Sequence, residues 1–178
     1  VMDADAGSEL IVGFNKDVTK TEYAKSLAED ALSGLLNYES VNEGDTFFIN
    51  TVKIHAIGAG VLLAEIQQTS DVTYRVFDFN RKDKEENLRE LHTEMALDAI
   101  DYEKKDDFKV TYDTVLDQAN GMVDCPYFRT NFLNLTKDFE QDSAARDSFT
   151  IYMCVAGTAS IRTDDGEVVI KKGETVLI

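Results

Sequence analysis

The chain has 178 residues, enough for one ordinary domain or two small interlocked ones, and 43% of them are hydrophobic, so a packed core is feasible and wholesale disorder is not expected. A formal net charge of −16 makes nucleic acid a poor partner and means that an anionic substrate would need local positive groups; the acidity itself reads as solubility. No apolar run reaches membrane-spanning length and no signal peptide is visible, while Cys125 and Cys154 form no CxxC pattern and read as free thiols of a reducing cytoplasm.

The chain starts on Val1 rather than Met and stops on Ile178 inside an apolar run, so both ends read as cut. Glu9 to Phe14 (ELIVGF) reads as a strand. Thr19 and Glu22 then form a capping-box signature. Behind it Tyr23, Leu27, Ala31 and Leu35 recur every four residues, which predicts an amphipathic helix from Thr21 to Leu36 whose apolar stripe covers a sheet. After Gly44-Asp45 the pattern changes to short strands: Thr46–Ile49, Val61–Gln67 and Thr73–Phe79 are rich in β-formers. Arg81 to Arg89 is a charged, solvated loop, and Thr93 to Ile100 fits a short helix. Phe108–Tyr112, Tyr127–Leu135 and Phe149–Val155 read as strands, and Thr158 to Lys171 as a hairpin turning at Asp164-Asp165-Gly166.

One internal repeat outweighs any single strand. Glu43-Gly44-Asp45-Thr46-Phe47-Phe48-Ile49 matches Lys172-Gly173-Glu174-Thr175-Val176-Leu177-Ile178: a charged residue, Gly, an acid, Thr, then three apolar residues. The copies lie far apart, each after a β-rich stretch, which suggests two related barrels. Short strands, glycine turns and a repeated unit define a mainly β chain of jelly-roll or cupin type with one inserted helix. The expected division is residues 1–102, the remainder of a first barrel, and 103–178, a second barrel interrupted at its C-terminus. Unpaired strand edges in such a chain favour self-association.

The residues able to do chemistry are few. The chain has two histidines. His55 sits between short apolar segments and is followed by Gly58-Ala59-Gly60. A catalytic metal needs three or four ligands, and no His/Cys cluster surrounds it, so the residues alone favour a structural histidine. His92 has less support and reads as structural or surface. Strand alternation over Val61–Phe79 would bring Glu65 and Arg75 to one barrel interior. There a buried carboxylate could act as a base and an arginine could hold negative charge on a substrate. An ordinary Glu–Arg ion pair explains the same residues.

The segments Gly44-Asp45-Thr46-Phe47-Phe48-Ile49, His55-Ala56-Ile57-Gly58-Ala59-Gly60 and Ala64-Glu65-Ile66-Gln67-Gln68-Thr69-Ser70-Asp71-Val72-Thr73-Tyr74-Arg75, together with Arg89-Glu90-Leu91-His92, resemble the type I mannose-6-phosphate isomerases. The likeness is dense from about Asp5 to Tyr102 and looser to Ile178. It implies a two-barrel cupin enzyme that interconverts mannose 6-phosphate and fructose 6-phosphate. It also implies one divalent metal, usually zinc, held by Gln, His, Glu and a later His. His55 matches the later His, and the other three belong before Val1. Arg75 matches the family's catalytic arginine, and Glu65 and Asp71 match acidic active-site positions. By this resemblance the chain is an incomplete and inactive portion of an aldose–ketose isomerase. The alternative is a non-catalytic cupin module for sugar-phosphate binding or structure. One departure stands out: Asn50, Thr51 and Val52 occupy the places of the family's Pro-x-Gly turn before the histidine.

Overall fold

A computed structural model describes residues 1–70, 73–77, 82, 84–87, 90–142 and 146–178. Two compact units are present, Val1–Asn134 and Leu135–Ile178. In the first, β1 (Asp3–Ala4) and β2 (Glu9–Phe14) precede α1 (Lys20–Ala28), a 3₁₀ turn (Leu32–Leu35), β3 (Leu36–Ser40), β4 (Thr46–Phe47), β5 (His55–Ile57) and β6 (Val61–Leu62). There follow α2 (Thr93–Ala99), β7 (Lys109–Val110), β8 (Ala119–Asp124) and β9 (Arg129–Leu133). All the strand pairs are antiparallel: β3-β2-β5, β1-β6, β4-β7 and β8-β9.

β2 is the centre of the unit because its apolar run is continuous. Strand alternation sends Leu10 and Val12 to one face, where they join Val41 and Phe108, and Ile11 to the other. A shift in the β2–β3 register after Ile11 then returns Phe14 to Ile11's face. Gly13, at φ +70, supplies the kink, and a Cβ there would stand 2.8 Å from the Phe108 ring. Phe14 packs with Val18, Tyr23, Leu32, Leu35 and Leu36, and its ring lies 6.0 Å from those of both Tyr23 and Tyr102.

The helix predicted to run to Leu36 stops at Ala28. The Thr19 hydroxyl accepts the Glu22 N–H at 3.1 Å, as the capping box requires. The stop is a Schellman closure: Ala31 N–H donates to Ser26 O (2.8 Å), Asp30 N–H donates to Leu27 O, and Asp30 takes φ 54. Aspartate tolerates the left-handed region better than most residues. The 3₁₀ turn that follows stacks residues three apart, so Leu32 and Leu35 still reach the core. That continuing apolar spacing is what a helical reading of the sequence extends too far. The strands predicted over Val61–Gln67 and Thr73–Phe79 also differ: only Val61–Leu62 is strand, and residues 73–77 form none. β-propensity needs a paired edge to act on, and β6 meets β1 over two residues.

In the second unit, β10 (Ile151–Met153) pairs with β13 (Thr175–Leu177), and β11 (Thr158–Thr163) with β12 (Gly166–Lys171) across the predicted Asp164-Asp165 turn. The repeated sequence motif forms the same structure in each unit. Gly44 and Gly173 take φ +91 and +88. Asp45 accepts the Asn42 N–H at 2.9 Å through its carboxylate, and Glu174 accepts the Lys171 N–H likewise at 2.9 Å. Gly44 N–H donates to Val1 O (3.0 Å), as Gly173 N–H donates to Cys154 O (2.7 Å). Gly frees the turn's backbone and the acid closes it, which is why this tetrad recurs.

Candidate functional site

His55 lies on β5, opposite Val12 of the central strand. The two glycines after it serve packing. A Cβ on Gly58 would stand 2.2 Å from the Glu9 carbonyl, and Gly60, at φ +75, lies where a Cβ would meet Asp5 Oδ2 and Ser8 Oγ at 2.6 Å. The Gly-Ala-Gly run is therefore what lets this segment press against β2.

The imidazole of His55 is exposed, and its Nδ1 lies 2.9 Å from the Lys53 carbonyl. A carbonyl only accepts, so Nδ1 carries a proton, and Nε2 is the ring nitrogen left for a ligand. Metal-ligating histidines are commonly oriented in this way. Lys53 is itself held. Its Nζ donates to Asp101 Oδ2 at 3.0 Å and stands 5.3 Å from the Phe108 ring centre. Only 8% of its side chain is exposed, so this is a nearly dry contact for a lysine. The Lys53 ammonium and the Glu103 N–H keep the Asp101 carboxyl below its ordinary range. Just before Lys53, Val52 takes φ +68, a region β-branched residues rarely adopt, and its carbonyl accepts the Asp101 N–H at 2.9 Å.

Arg75 is half-buried. Its Nη1 donates to Glu90 O at 3.3 Å, and its main chain is bonded to His92. A cavity of about 30 Å³ brings the two regions together, with His55, Ile54, Ile11 and Leu36 on one side and Val76 and Phe77 on the other. That volume holds about one water, and Arg75 itself does not line it. Glu65, expected in the interior beside Arg75, is instead exposed in the run after β6. Without strand there, the alternation that would have turned it inward does not operate. Asp71 lies outside the described residues. Among the described residues no three of His, Cys, Asp and Glu converge on a point that could hold a metal ion. His55 thus has the geometry of a single ligand, and the described residues do not complete a metal site.

Sequence reasoning passed over Lys53 and Asp101 and set His92 aside. Lys53 carried a faint signal in its two-residue spacing from His55. Asp101 carried none, and His92 only its place in the Arg89-Glu90-Leu91-His92 resemblance, because their roles come from how α2 and the segment after it lie beside the site.

This mainly β architecture, with its duplicated turn and a histidine on a barrel-type strand, is that of a cupin. Residues 118–178 match the family model of the mannose-6-phosphate isomerase cupin domain. The whole chain is 28% identical to the mannose-6-phosphate isomerase ManA of Bacillus subtilis and 28% identical to that of Streptococcus mutans, covering 56% of each. It is 31% identical over 153 residues to the probable mannose-6-phosphate isomerase GmuF of B. subtilis, covering 47% of that protein. The crystal structure of the B. subtilis mannose 6-phosphate isomerase superposes with a TM-score of 0.82 at 26% identity, over 99% of this chain and 56% of that one. The chain is thus similar along its length to mannose-6-phosphate isomerases, and it spans about half the length of the curated relatives it matches. Among the described residues no helix is long and apolar enough to cross a membrane.

Proposed function

We propose that this chain forms part of a metal-dependent aldose–ketose isomerase acting on mannose 6-phosphate and fructose 6-phosphate. The observation that carries the reading is the match along the whole chain to proteins of that name. The site supports it through two residues. His55 presents a free Nε2 from an oriented ring, suited to one ligand of a divalent metal, zinc in our reading. When bound, such a metal polarises a substrate oxygen. The remaining ligands come from outside the described residues. Arg75 offers a permanent positive charge where an enediolate develops negative charge as a proton moves between C2 and C1. Glu65 and Asp71 are read as the acidic groups of the same site. In this reading the enzyme is cytoplasmic, in keeping with the free thiols of Cys125 and Cys154, and the chain divides into two barrel-related parts at residue 102.

The test is a coupled isomerase assay on the complete protein with zinc or another divalent metal added. Turnover that falls on the order of 100-fold or more in Arg75→Ala is expected, by analogy with the loss of one charge-stabilising donor. No turnover by the wild type with any divalent metal overturns the reading. A non-catalytic sugar-phosphate module is suggested by Val52 standing in a glycine's place. Val52 nevertheless takes a left-handed φ of +68, a glycine-type backbone, which weakens that alternative. Calorimetric binding of mannose 6-phosphate without turnover would restore it.

A further inference from the structure

His92 has no part in the isomerase reading, yet it is bonded to the residue that reading depends on. It occupies the N-cap position of α2, where its carbonyl accepts the Ala96 N–H at 2.9 Å. Caps are usually Ser, Thr, Asn or Asp, whose side chains bond the helix's own first turn. The His92 side chain makes no such bond. Its Nδ1 instead accepts the Arg75 N–H at 3.1 Å, and its own N–H donates to the Arg75 carbonyl at 2.8 Å. Both main-chain polar groups of Arg75 are therefore held by one partner, 17 residues away in sequence. The ring also lies tilted against Tyr74, with centroids 6.3 Å apart.

Residues 73–77 belong to no strand, so a sheet ladder does not fix this backbone. What replaces the ladder is α2, whose Leu97, with Ile100 and Tyr102 beyond it, packs against the Phe14–Tyr23 core. We propose that His92 is the positioning residue for Arg75, locking the main chain from which the guanidinium projects so that its charge meets the substrate in one place. The proposal rests on the isomerase reading of Arg75. Positional demands of this kind are steep, since a misplacement of about 1 Å can lower a rate on the order of 100-fold.

Two substitutions separate the hydrogen bond from the ring contact. His92→Asn puts an acceptor oxygen close to where Nδ1 stands but removes the ring. His92→Phe keeps a ring against Tyr74 and has no acceptor. In the complete enzyme, His92→Phe is expected to lower kcat about 10- to 100-fold with KM changed by less than about threefold. His92→Asn is expected to recover most of the loss. Amide hydrogen exchange at Arg75, measured in the same proteins, should speed up in His92→Phe and stay slow in His92→Asn. In an Arg75→Ala background His92→Phe should cost little more, because the two act as one unit. Equal losses in both backgrounds, or a Phe variant more active than the Asn variant, overturn the proposal. If Arg75→Ala alone leaves turnover unchanged, the catalytic reading of Arg75 fails. The exchange measurement then still decides whether His92 holds that peptide.

Discussion

Val52 makes a prediction whose sign runs against habit. It holds φ +68 immediately before the loop that carries Lys53 and His55. A left-handed backbone costs an ordinary L-residue about 1–2 kcal/mol relative to glycine. Val52→Gly alone is a poor probe, because it also removes a side chain that is 52% exposed and so partly packed. The comparison that isolates the backbone is Val52→Gly against Val52→Ala, since both lose the branched side chain. Glycine relieves the strain, worth about 1–2 kcal/mol, but raises unfolded-state entropy by about 0.4–1 kcal/mol. The glycine variant should therefore be the more stable by roughly 0.5–1 kcal/mol, about 1–4 °C in melting temperature for a chain of this size. At a position with negative φ the order reverses, because alanine then gains by its lower unfolded-state entropy. Urea unfolding midpoints, with the slopes checked for constancy, measure the difference. An alanine variant equal to or more stable than the glycine one refutes the left-handed assignment and the strain argument with it.

Four other features of the chain can be tested in the same spirit. The Tyr23 hydroxyl is buried without a partner among the described residues, and burial pushes its pKa up to about 12; Tyr23→Phe should therefore be neutral or stabilising by about 1 kcal/mol, and a clear loss in thermal melting would reveal a missing partner. Gly58→Ala places a methyl 2.2 Å from the Glu9 carbonyl, so β2 and β5 must separate; a destabilisation of about 2 kcal/mol or more is expected, and a change within about 0.5 kcal/mol counts against so close an approach of the two strands. Asp101 is depressed in the folded chain by Lys53, so the folded state holds that proton less tightly than the unfolded state does. Its stabilisation is complete above the ordinary carboxylate pKa of about 4 and disappears as pH falls through the lower folded value. Asp101→Asn should flatten that acid limb in pH-dependent denaturation, and an unchanged limb would contradict the pairing. Finally, β4 and its counterpart β13 each pair on one edge only among the described residues, with β7 and β10 respectively. The isolated chain should self-associate in light scattering, and a monodisperse monomer at high concentration argues against it.

Much of the scaffold was legible because local chemistry dictates it. The ELIVGF strand, the Thr19 cap, the Asp164-Asp165 hairpin and the paired glycine turns are each specified by adjacent residues. The end of α1 was not, because the apolar spacing of Leu32 and Leu35 suits a 3₁₀ turn as well as a helix. The site divides in the same way. His55 and Arg75 stood out by residue type and by resemblance. The supports that aim them, Lys53 with Asp101 and His92, come from segments distant in sequence, and no spacing rule links them. The inward placement expected of Glu65 differs for the opposite reason: a two-residue period was assumed over residues that form no strand.

The supports of His55 and Arg75 meet on one element. His92 grips Arg75 at the start of α2, and Asp101 grips Lys53 and Val52 just past its end. The helix between them, Thr93–Ala99, spans roughly 10 Å at 1.5 Å per residue. It works as a gauge block: together with the β2–β5 pairing that holds His55, its length bears on how far the histidine loop stands from the arginine. Adding or deleting one residue in it would rotate one anchor by about 100° relative to the other, spoiling the register of both while leaving each side chain intact.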